Sequence, residues 1–129
     1  MPSWDEIQAF AREHFKLTED EGGYFATEVK FQSNRKQRVS VTYFEVERVG
    51  YVQVRSRVCR EEELDHQWAL EQNTDLLIGA YALEQGTYFV SRTVASYSLY
   101  LDEFECMVLN IAAYADDVEA ARTAGLDRY

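Results

Sequence analysis

Few side chains in this sequence could carry out acid–base or nucleophilic chemistry. Its two histidines, His14 and His66, stand in separate predicted helices, and neither has a second histidine or a cysteine at metal-binding spacing. The two cysteines, Cys59 and Cys106, form no CxxC or CxxH pattern, so a zinc site is not indicated. No serine lies in a GxSxG turn, the setting that activates the nucleophile in one large class of hydrolases. These residues predict reduced thiols and structural histidines, without a metal or a catalytic centre.

Two groups of carboxylates offer a different chemistry, since glycoside hydrolysis and proton transfer use paired acids with different pKa values. One group is Glu61–Glu63, and the other contains Asp102, Glu103 and Glu105. Both stand at predicted helix starts, where the helix dipole stabilises negative charge without any catalytic role. The glycines form no phosphate-binding loop. The sequence therefore predicts neither an enzyme nor a bound cofactor.

A mixed aromatic and basic surface is the pattern with more functional content. It consists of Tyr51, Arg55 and Arg57 on one face of a predicted strand, together with Tyr24 and Lys30 on a different predicted strand. Aromatic rings supply contact area and arginine supplies directed hydrogen bonds, so such a face suits an extended or helical peptide. An ordinary solvated sheet surface has the same pattern, and the sequence leaves both interpretations open.

The overall charge narrows the class of partner. The 129 residues include 23 acidic and 13 basic side chains, which gives a formal charge of −10. This charge repels phosphate backbones and anionic lipid surfaces, so we expect no nucleic-acid or membrane partner. No apolar run approaches the roughly 20 residues of a membrane span, and residues 1–15 do not have the pattern of a signal peptide. We expect one cytoplasmic domain spanning residues 1–129.

Hydrophobic periodicity predicts the elements that position this surface. Ser3 and Glu6 form a capping-box pattern that begins a first helix, and the polar stretch Thr18–Gly23 after it predicts a turn. Three strands with alternating apolar and polar residues follow, and they form an antiparallel meander with one wet face. Their predicted ranges are Tyr24–Phe31, Gln37–Val46 and Tyr51–Cys59. On the third strand, the side chains expected to face the core are Val52, Val54, Ser56 and Val58.

The second half of the chain predicts a short helix within residues 60–73, a second hairpin and a long final helix. The hairpin strands are Leu76–Leu83 and Thr87–Val94, and Gly79 marks a bulge or a close backbone approach. Ser96–Tyr100 fits either a strand extension or a turn. An apolar stripe over residues 101–118 predicts the final helix, which Gly125 stands too far along the chain to cap directly.

This order of elements resembles the fold shared by class I type III secretion chaperones and YbjN-like proteins. The likeness covers Ser3 to about Glu119, and its closest local match is the run Asn73–Leu83 followed by Gly86–Ser91. The expected fold is therefore α+β, in the order α-β-β-β-α-β-β-α, with a mostly antiparallel five-stranded sheet packed by helices. The resemblance implies a homodimer without catalytic activity, whose hydrophobic patches hold an extended segment of a client protein.

The binding residues are expected on the first helix and on the strand faces, where the resemblance implies client contacts, together with the basic face of the third strand. The predicted set is Ile7, Phe10, Val29, Tyr43, Tyr51, Arg55 and Arg57. The charge of −10 motivates an alternative, an acidic regulatory or immunity-type protein that masks a basic surface of its partner. Charge masking should weaken steeply as salt is added, whereas binding of apolar segments should change little.

Overall fold

The protein consists of an antiparallel sheet with helices packed on one face. This is seen in a computed structural model that describes residues 2–123 and 127–129. The described part of the chain contributes six strands, in the order β1-β2-β3-β4-β6-β5. Short 3₁₀ turns at Glu61–Glu63 and Ser96–Ser98 precede the second and third helices. The helices and strands are α1 (Trp4–His14), β1 (Leu17–Glu21), β2 (Tyr24–Lys30), β3 (Lys36–Val46), β4 (Val49–Arg60), α2 (His66–Gln72), β5 (Ala80–Glu84), β6 (Thr87–Ala95) and α3 (Leu101–Arg122).

Helix α1 begins with the predicted capping box. The Ser3 hydroxyl accepts a hydrogen bond from the backbone N–H of Glu6 at 3.2 Å, and the Glu6 carboxylate accepts from the backbone N–H of Ser3 at 3.5 Å. The indole ring of Trp4 stacks on Phe25 and Tyr43, with ring centroids 5.5 and 5.3 Å apart. These contacts fix the apolar face of α1 against strands β2 and β3.

Alternation along the central strands decides which face of the sheet is buried. Val52, Val54, Ser56 and Val58 are all buried on the side of α1 and α3, as the sequence predicts. Helix α3 packs its apolar stripe on this side through Phe104, Met107, Val108 and Ile111. The opposite side, called the outer face below, carries the polar and aromatic residues between those core positions.

Strand β1 occupies most of the stretch Thr18–Gly23, where the sequence predicts a turn, so that prediction is wrong. The sheet therefore has six strands and not the predicted five. It pairs antiparallel with β2, with Asp20 opposite Phe25 and Glu21 opposite Tyr24. Its acidic residues have low strand propensity, so the pattern gives no strand signal. Tertiary bonds from α1 hold it instead: the Gln8 side chain donates to Asp20 at 2.7 Å and to the Glu21 carbonyl at 2.6 Å.

The second hairpin is shorter than predicted, because β5 begins at Ala80 and not at Leu76. The side chain of Asn73 accepts from the backbone N–H of Tyr81 at 2.6 Å and donates to the Tyr81 carbonyl at 3.3 Å. Asn73 thus takes the place of a neighbouring strand at the free edge of β5. The predicted close approach at Gly79 is confirmed, since a Cβ atom there would lie 2.7 Å from the Ser91 carbonyl oxygen.

Helix α3 runs from Leu101 to Arg122, and the 3₁₀ turn at Ser96–Ser98 settles the region that the sequence left open. The prediction that Gly125 stands too far along the chain to cap the final helix concerns a residue outside the described ones. Across residues 2–123 and 127–129, no helix combines the length and the apolar character that a membrane span requires.

Candidate functional site

A groove with a volume of about 570 Å³ lies on the outer face of the sheet. Residues of β2, β3, β4, β5 and β6 line it, together with two residues near the end of the chain, Arg128 and Tyr129. Apart from Ser56, which is itself buried, the strand residues in the lining alternate with buried positions. The groove therefore follows directly from the period-2 geometry of the sheet.

The groove is locally basic in an acidic protein. Its lining contains two carboxylates, Glu28 and Glu84. It also contains five cations, which are Lys36, Arg38, Arg55, Arg57 and Arg128. The whole chain carries a formal charge of −10, so the sign of the charge in the groove is opposite to that of the molecule. Such a concave basic surface attracts anionic groups at short range.

Arg55 is held in a defined position on the groove floor. Its guanidinium carbon lies 4.0 Å from the centroid of the Phe89 ring, and its Nη2 atom donates to Glu84 at 3.2 Å. The cation–π contact and the ion pair act together, and the Arg55 side chain is only 22% exposed. These contacts fix the position of the Arg55 side chain in this structure.

Arg57 stands next to Arg55 on β4 but in a different environment. Its guanidinium lies 5.8 Å from the centroid of Phe89, its cross-strand neighbour on β6, and 6.0 Å from the ring of Tyr129. Within residues 2–123 and 127–129, no carboxylate forms an ion pair with it. Arg57 is exposed and is the groove cation whose charge stays uncompensated within the described chain.

One wall of the groove is a hydrogen-bonded set on β1, β2 and β3. Arg38 donates to the Glu19 carboxylate at 2.7 Å and to the Tyr24 hydroxyl at 3.0 Å. The hydrogen bond from Arg38 lowers the pKa of Glu19 below its ordinary value. This wall is therefore charged and fixed at neutral pH.

Two residues near the chain end form the other wall. The guanidinium of Arg128 pairs with Glu63, and the backbone N–H groups of Arg128 and Tyr129 donate to Glu119 at 2.8 and 3.2 Å. The pKa of Glu63 is lowered mainly by a hydrogen bond from the Arg60 backbone N–H, with a further contribution from Arg128. These bonds hold the Tyr129 ring near Arg57.

A separate cluster of acids lies behind this wall. Asp116, Glu119 and Asp127 place carboxylate oxygens within 4.8 Å of one another, a spacing that could suit a metal ion. The Arg35 guanidinium lies among them, with nitrogen–oxygen distances of 3.0, 3.3 and 3.9 Å. Arg35 therefore supplies the compensating positive charge, and the cluster ties the loop between β2 and β3 to α3.

The predicted residues on the outer face are only partly brought together. Arg55 and Arg57 line the groove, together with Tyr24. Tyr51 lies on the same face but outside the groove lining, and its ring stacks on Phe44 at 5.8 Å. Lys30 is exposed at the end of β2 and does not line the groove.

The other predicted binding residues belong to the helix side of the sheet. Ile7 is 0% exposed, so it contributes to the core and presents no surface to a partner in this structure. Tyr43 stacks on Trp4, while Phe10 and Val29 are half-buried against the same core. The structure does not bring these four predicted positions into the groove.

Several groove residues were missed by the sequence prediction. Phe89 and Arg38 alternate with the buried residues Val90 and Val39, so the same period-2 pattern could have placed them on the outer face. Arg128 carries no such signal, because it follows the last helix and reaches the groove only through tertiary contacts.

Both histidines and Cys59 are held by contacts or burial within the fold. The His14 ring pairs with the Phe10 carbonyl at 3.0 Å, and the His66 ring is hydrogen-bonded to the Tyr88 hydroxyl. Burial raises the pKa of the Cys59 thiol to about 11, which keeps it protonated and unreactive at neutral pH. Asp102 is exposed in the first turn of α3 beside a smaller cleft of about 350 Å³.

Comparison with known proteins supplies a fold relationship. No protein-family model and no curated protein matches the sequence. Among solved structures, the crystal structure of the ExsC–ExsE complex contains a chain that matches with a TM-score of 0.62 at 14% identity, covering 95% of this chain and 97% of that one. The protein therefore shares with that chain an α+β fold, in which an antiparallel sheet is packed by helices, and it has six strands in place of the five expected.

Proposed function

We propose that this protein is a non-enzymatic binding module that holds an extended segment of a client protein, in the manner of a type III secretion chaperone or a YbjN-like protein. The observation that carries this proposal is the groove on the outer face, which combines aromatic rings and arginines on a rigid sheet. Tyrosine and arginine are the residue types that dominate binding energy at protein interfaces. The fold supports the proposal, since a solved structure with a similar fold was crystallised as a complex.

The extent of the groove suits an extended segment, because residues of five strands line it. Its floor spans the outer faces of neighbouring strands, so a peptide lying along it would present alternate side chains to the sheet. Arg55 is already packed on Phe89 and paired with Glu84, so little side-chain entropy would be lost on binding. In this proposal Tyr51 and Phe44 extend the contact surface along the same face.

The absence of catalysis is part of the proposal, and the surroundings of the titratable residues support it. Both histidine rings are hydrogen-bonded to other groups of the protein, and the Cys59 thiol is buried with a raised pKa. Cys59 and Cys106 are both free thiols, which fits a reducing, cytoplasmic location.

We further propose that the protein forms a homodimer through the edge built by α2 and β5. Three leucines are exposed there, with relative exposures of 70%, 91% and 47% for Leu70, Leu77 and Leu83. They stand on α2, on the segment after it and on β5, and α2 contacts β5. Exposed apolar surface of this kind is stabilised when a second copy covers it.

Charge masking of a basic partner is the second candidate function, and the formal charge of −10 favours it. A masking interface would neutralise many acidic side chains, so its affinity should fall steeply as salt is added. A groove that combines aromatic contacts with a few arginines should show a much shallower dependence. Measuring the affinity for the same client at low and high salt separates the two functions.

The proposed function is tested by isolating the client and locating its binding site. The tagged protein is used to recover partners from its native cell, and the bound segment is then synthesised and titrated by calorimetry. The variants Arg55→Ala and Phe89→Ala should weaken binding at least tenfold, because both residues form the groove floor. Tyr97→Ala is the matched control, since Tyr97 is 61% exposed and lies outside the groove.

Unchanged affinity in both groove variants, with their folding verified by circular dichroism, would refute the assignment of the groove as the client site. Equal weakening by Tyr97→Ala would do the same, because it would show that exposed aromatic residues act without regard to their position.

A further inference from the structure

We propose that the groove selects client segments that contain an acidic residue, and that Arg57 is the residue that binds the client carboxylate. This inference rests on the proposed function and adds the chemical class of the segment. It follows from the ion pairs of the groove, from the rings beside Arg57 and from the charge of the molecule.

The ion pairs single out Arg57 among the five groove cations. Each of the other four has a carboxylate partner within the described chain: Arg38 with Glu19, Lys36 with Glu28, Arg55 with Glu84 and Arg128 with Glu63. Arg57 forms no ion pair with any residue in the ranges 2–123 and 127–129. The other cations stabilise the groove, whereas the charge of Arg57 is available to a ligand.

The rings beside Arg57 prepare it for a planar anion. Phe89 and Tyr129 lie 5.8 and 6.0 Å from its guanidinium carbon, within the range of a cation–π contact. A guanidinium group donates two parallel hydrogen bonds to a carboxylate, which makes the pairing both directional and strong. The apolar rings also offer contact area to the residues that flank the carboxylate in a peptide.

The charge of the whole chain argues against other anions. At −10, the protein repels long polyanions such as nucleic acid and anionic membranes, whose charges would extend beyond the groove. A peptide with one or two acidic residues among apolar ones carries its charge only where the groove is positive. Charge complementarity therefore favours an acidic peptide segment.

The test uses a displayed library of random peptides about twelve residues long, roughly 40 Å when extended, because the client is unidentified. We expect the wild-type protein to enrich sequences that contain Asp or Glu next to aromatic or aliphatic residues. The recovered peptide and its Gln or Asn counterpart are then titrated against wild type, Arg57→Gln and Lys30→Gln. Lys30 is the matched control, since it is an exposed cation on the same face outside the groove lining.

Arg57→Gln should weaken binding of the acidic peptide about tenfold or more, and it should change binding of the amide counterpart less than about twofold. Lys30→Gln should change neither by more than about twofold, because an exposed charge outside the site is screened by solvent. If wild type binds the amide counterpart as tightly as the acidic peptide, this inference is overturned while the proposed function stands.

Two further results would also overturn it. Equal losses in Arg57→Gln and Lys30→Gln would mean that only the overall charge matters. Tighter binding of a single-stranded oligonucleotide of similar length than of the recovered peptide would identify nucleic acid as the ligand class. If no peptide of either kind is enriched or bound, the proposed function falls together with the inference.

Discussion

At the scale of single residues, the same side-chain type serves different purposes in different surroundings. Arg35 is a structural cation, because it compensates the buried carboxylates of Asp116 and Glu119. Arg57 is exposed beside aromatic rings and lacks a carboxylate partner in the described chain. Cys59 and Cys106 differ in the same way, since one is buried and the other is exposed. Burial and partners, more than residue type, determine what each group can do.

The two cysteines should react with a thiol reagent at very different rates. With a pKa of about 11, only roughly one Cys59 thiol in a thousand is a thiolate at pH 8, and the side chain is also 0% exposed. Titration of the native protein with an aromatic disulfide should give one fast thiol, with the second appearing only in denaturant. Cys106→Ser should remove the fast phase. Two fast thiols in the native protein would contradict the burial of Cys59.

Removal of the Arg35 charge should destabilise the protein in a pH-dependent way. In Arg35→Met, Asp116 and Glu119 stay buried without their nearest cation, which should cost about 3–5 kcal/mol of unfolding free energy near neutral pH. Burial already raises the pKa of both carboxyls, and losing the cation raises each pKa further.

The sign of the pH effect follows from these raised pKa values. A carboxyl whose pKa is higher in the folded state stabilises the fold while protonated, and this stabilisation is lost as the pH rises through the folded-state pKa. The difference in unfolding free energy between wild type and Arg35→Met should therefore be smallest in acid and grow as the pH rises. Urea denaturation at several pH values measures it, with Lys36→Met as the exposed control. A constant difference would contradict the role assigned to Arg35.

At the scale of elements, contacts from neighbouring elements decide where the edge strands begin and end. Strand β1 is held by Gln8 and Arg12 of α1, with Arg12 donating to Asp20 at 2.7 Å. Strand β5 begins only after Gly79, where the chain closes onto the Ser91 carbonyl. Both strands lie at the edges of the sheet, where each has one neighbouring strand to fix its limits.

Replacing Gly79 tests this close approach. A Cβ atom at position 79 would lie 2.7 Å from the backbone oxygen of Ser91, so Gly79→Ala must displace the start of β5. We expect a loss of about 1–3 kcal/mol in unfolding free energy, measured by chemical denaturation. Gly22→Ala is the control, because nothing lies within 4 Å of a Cβ atom there. Equal stability of the two variants would show that β5 does not close on β6 as described.

At the scale of the whole molecule, the sheet separates two surfaces with different properties. One face carries α1, α3 and the core, while the other carries the basic groove. The exposed leucines of α2 and β5 lie at one edge and are not among the residues that line the groove, although Leu83 adjoins Glu84 of the lining. In the proposed arrangement a dimer would cover that edge and leave both grooves open to client segments.

If the chain forms the proposed dimer, replacing its exposed leucines with aspartate should lower the mass measured by sedimentation. Wild type should sediment at micromolar concentration with about twice the chain mass of 15.0 kDa, whereas Leu70→Asp/Leu77→Asp should sediment as a monomer. Both residues are largely exposed, so the double variant should fold normally. Leu109→Asp, at an exposed position of α3, should remain dimeric. A wild-type protein that sediments only as a monomer would rule out the dimer.

The parts of the fold that can be predicted from the sequence are those with strong local patterns. The sequence predicts the central strands to within a few residues, because Val52 and Val54 alternate with less buried positions. The capping box at Ser3 and the stripe of α3 are equally local signals. Of the groove, Arg55 and Arg57 could be placed on one face of one strand, since strand alternation alone fixes that face.

The sequence by itself determined the α+β class, the order of the central elements and the basic outer face of β4, because these depend on periodicities of a few residues. The tertiary structure decided the rest. It made a strand of residues 17–21, three of which are acidic, placed Phe89 beside Arg55, and brought Tyr129 to Arg57 over a separation of more than half the chain. Pairing across such separations depends on packing and burial, which no local pattern encodes. That packing leaves Arg57 near two rings and without an ion-pair partner among the described residues.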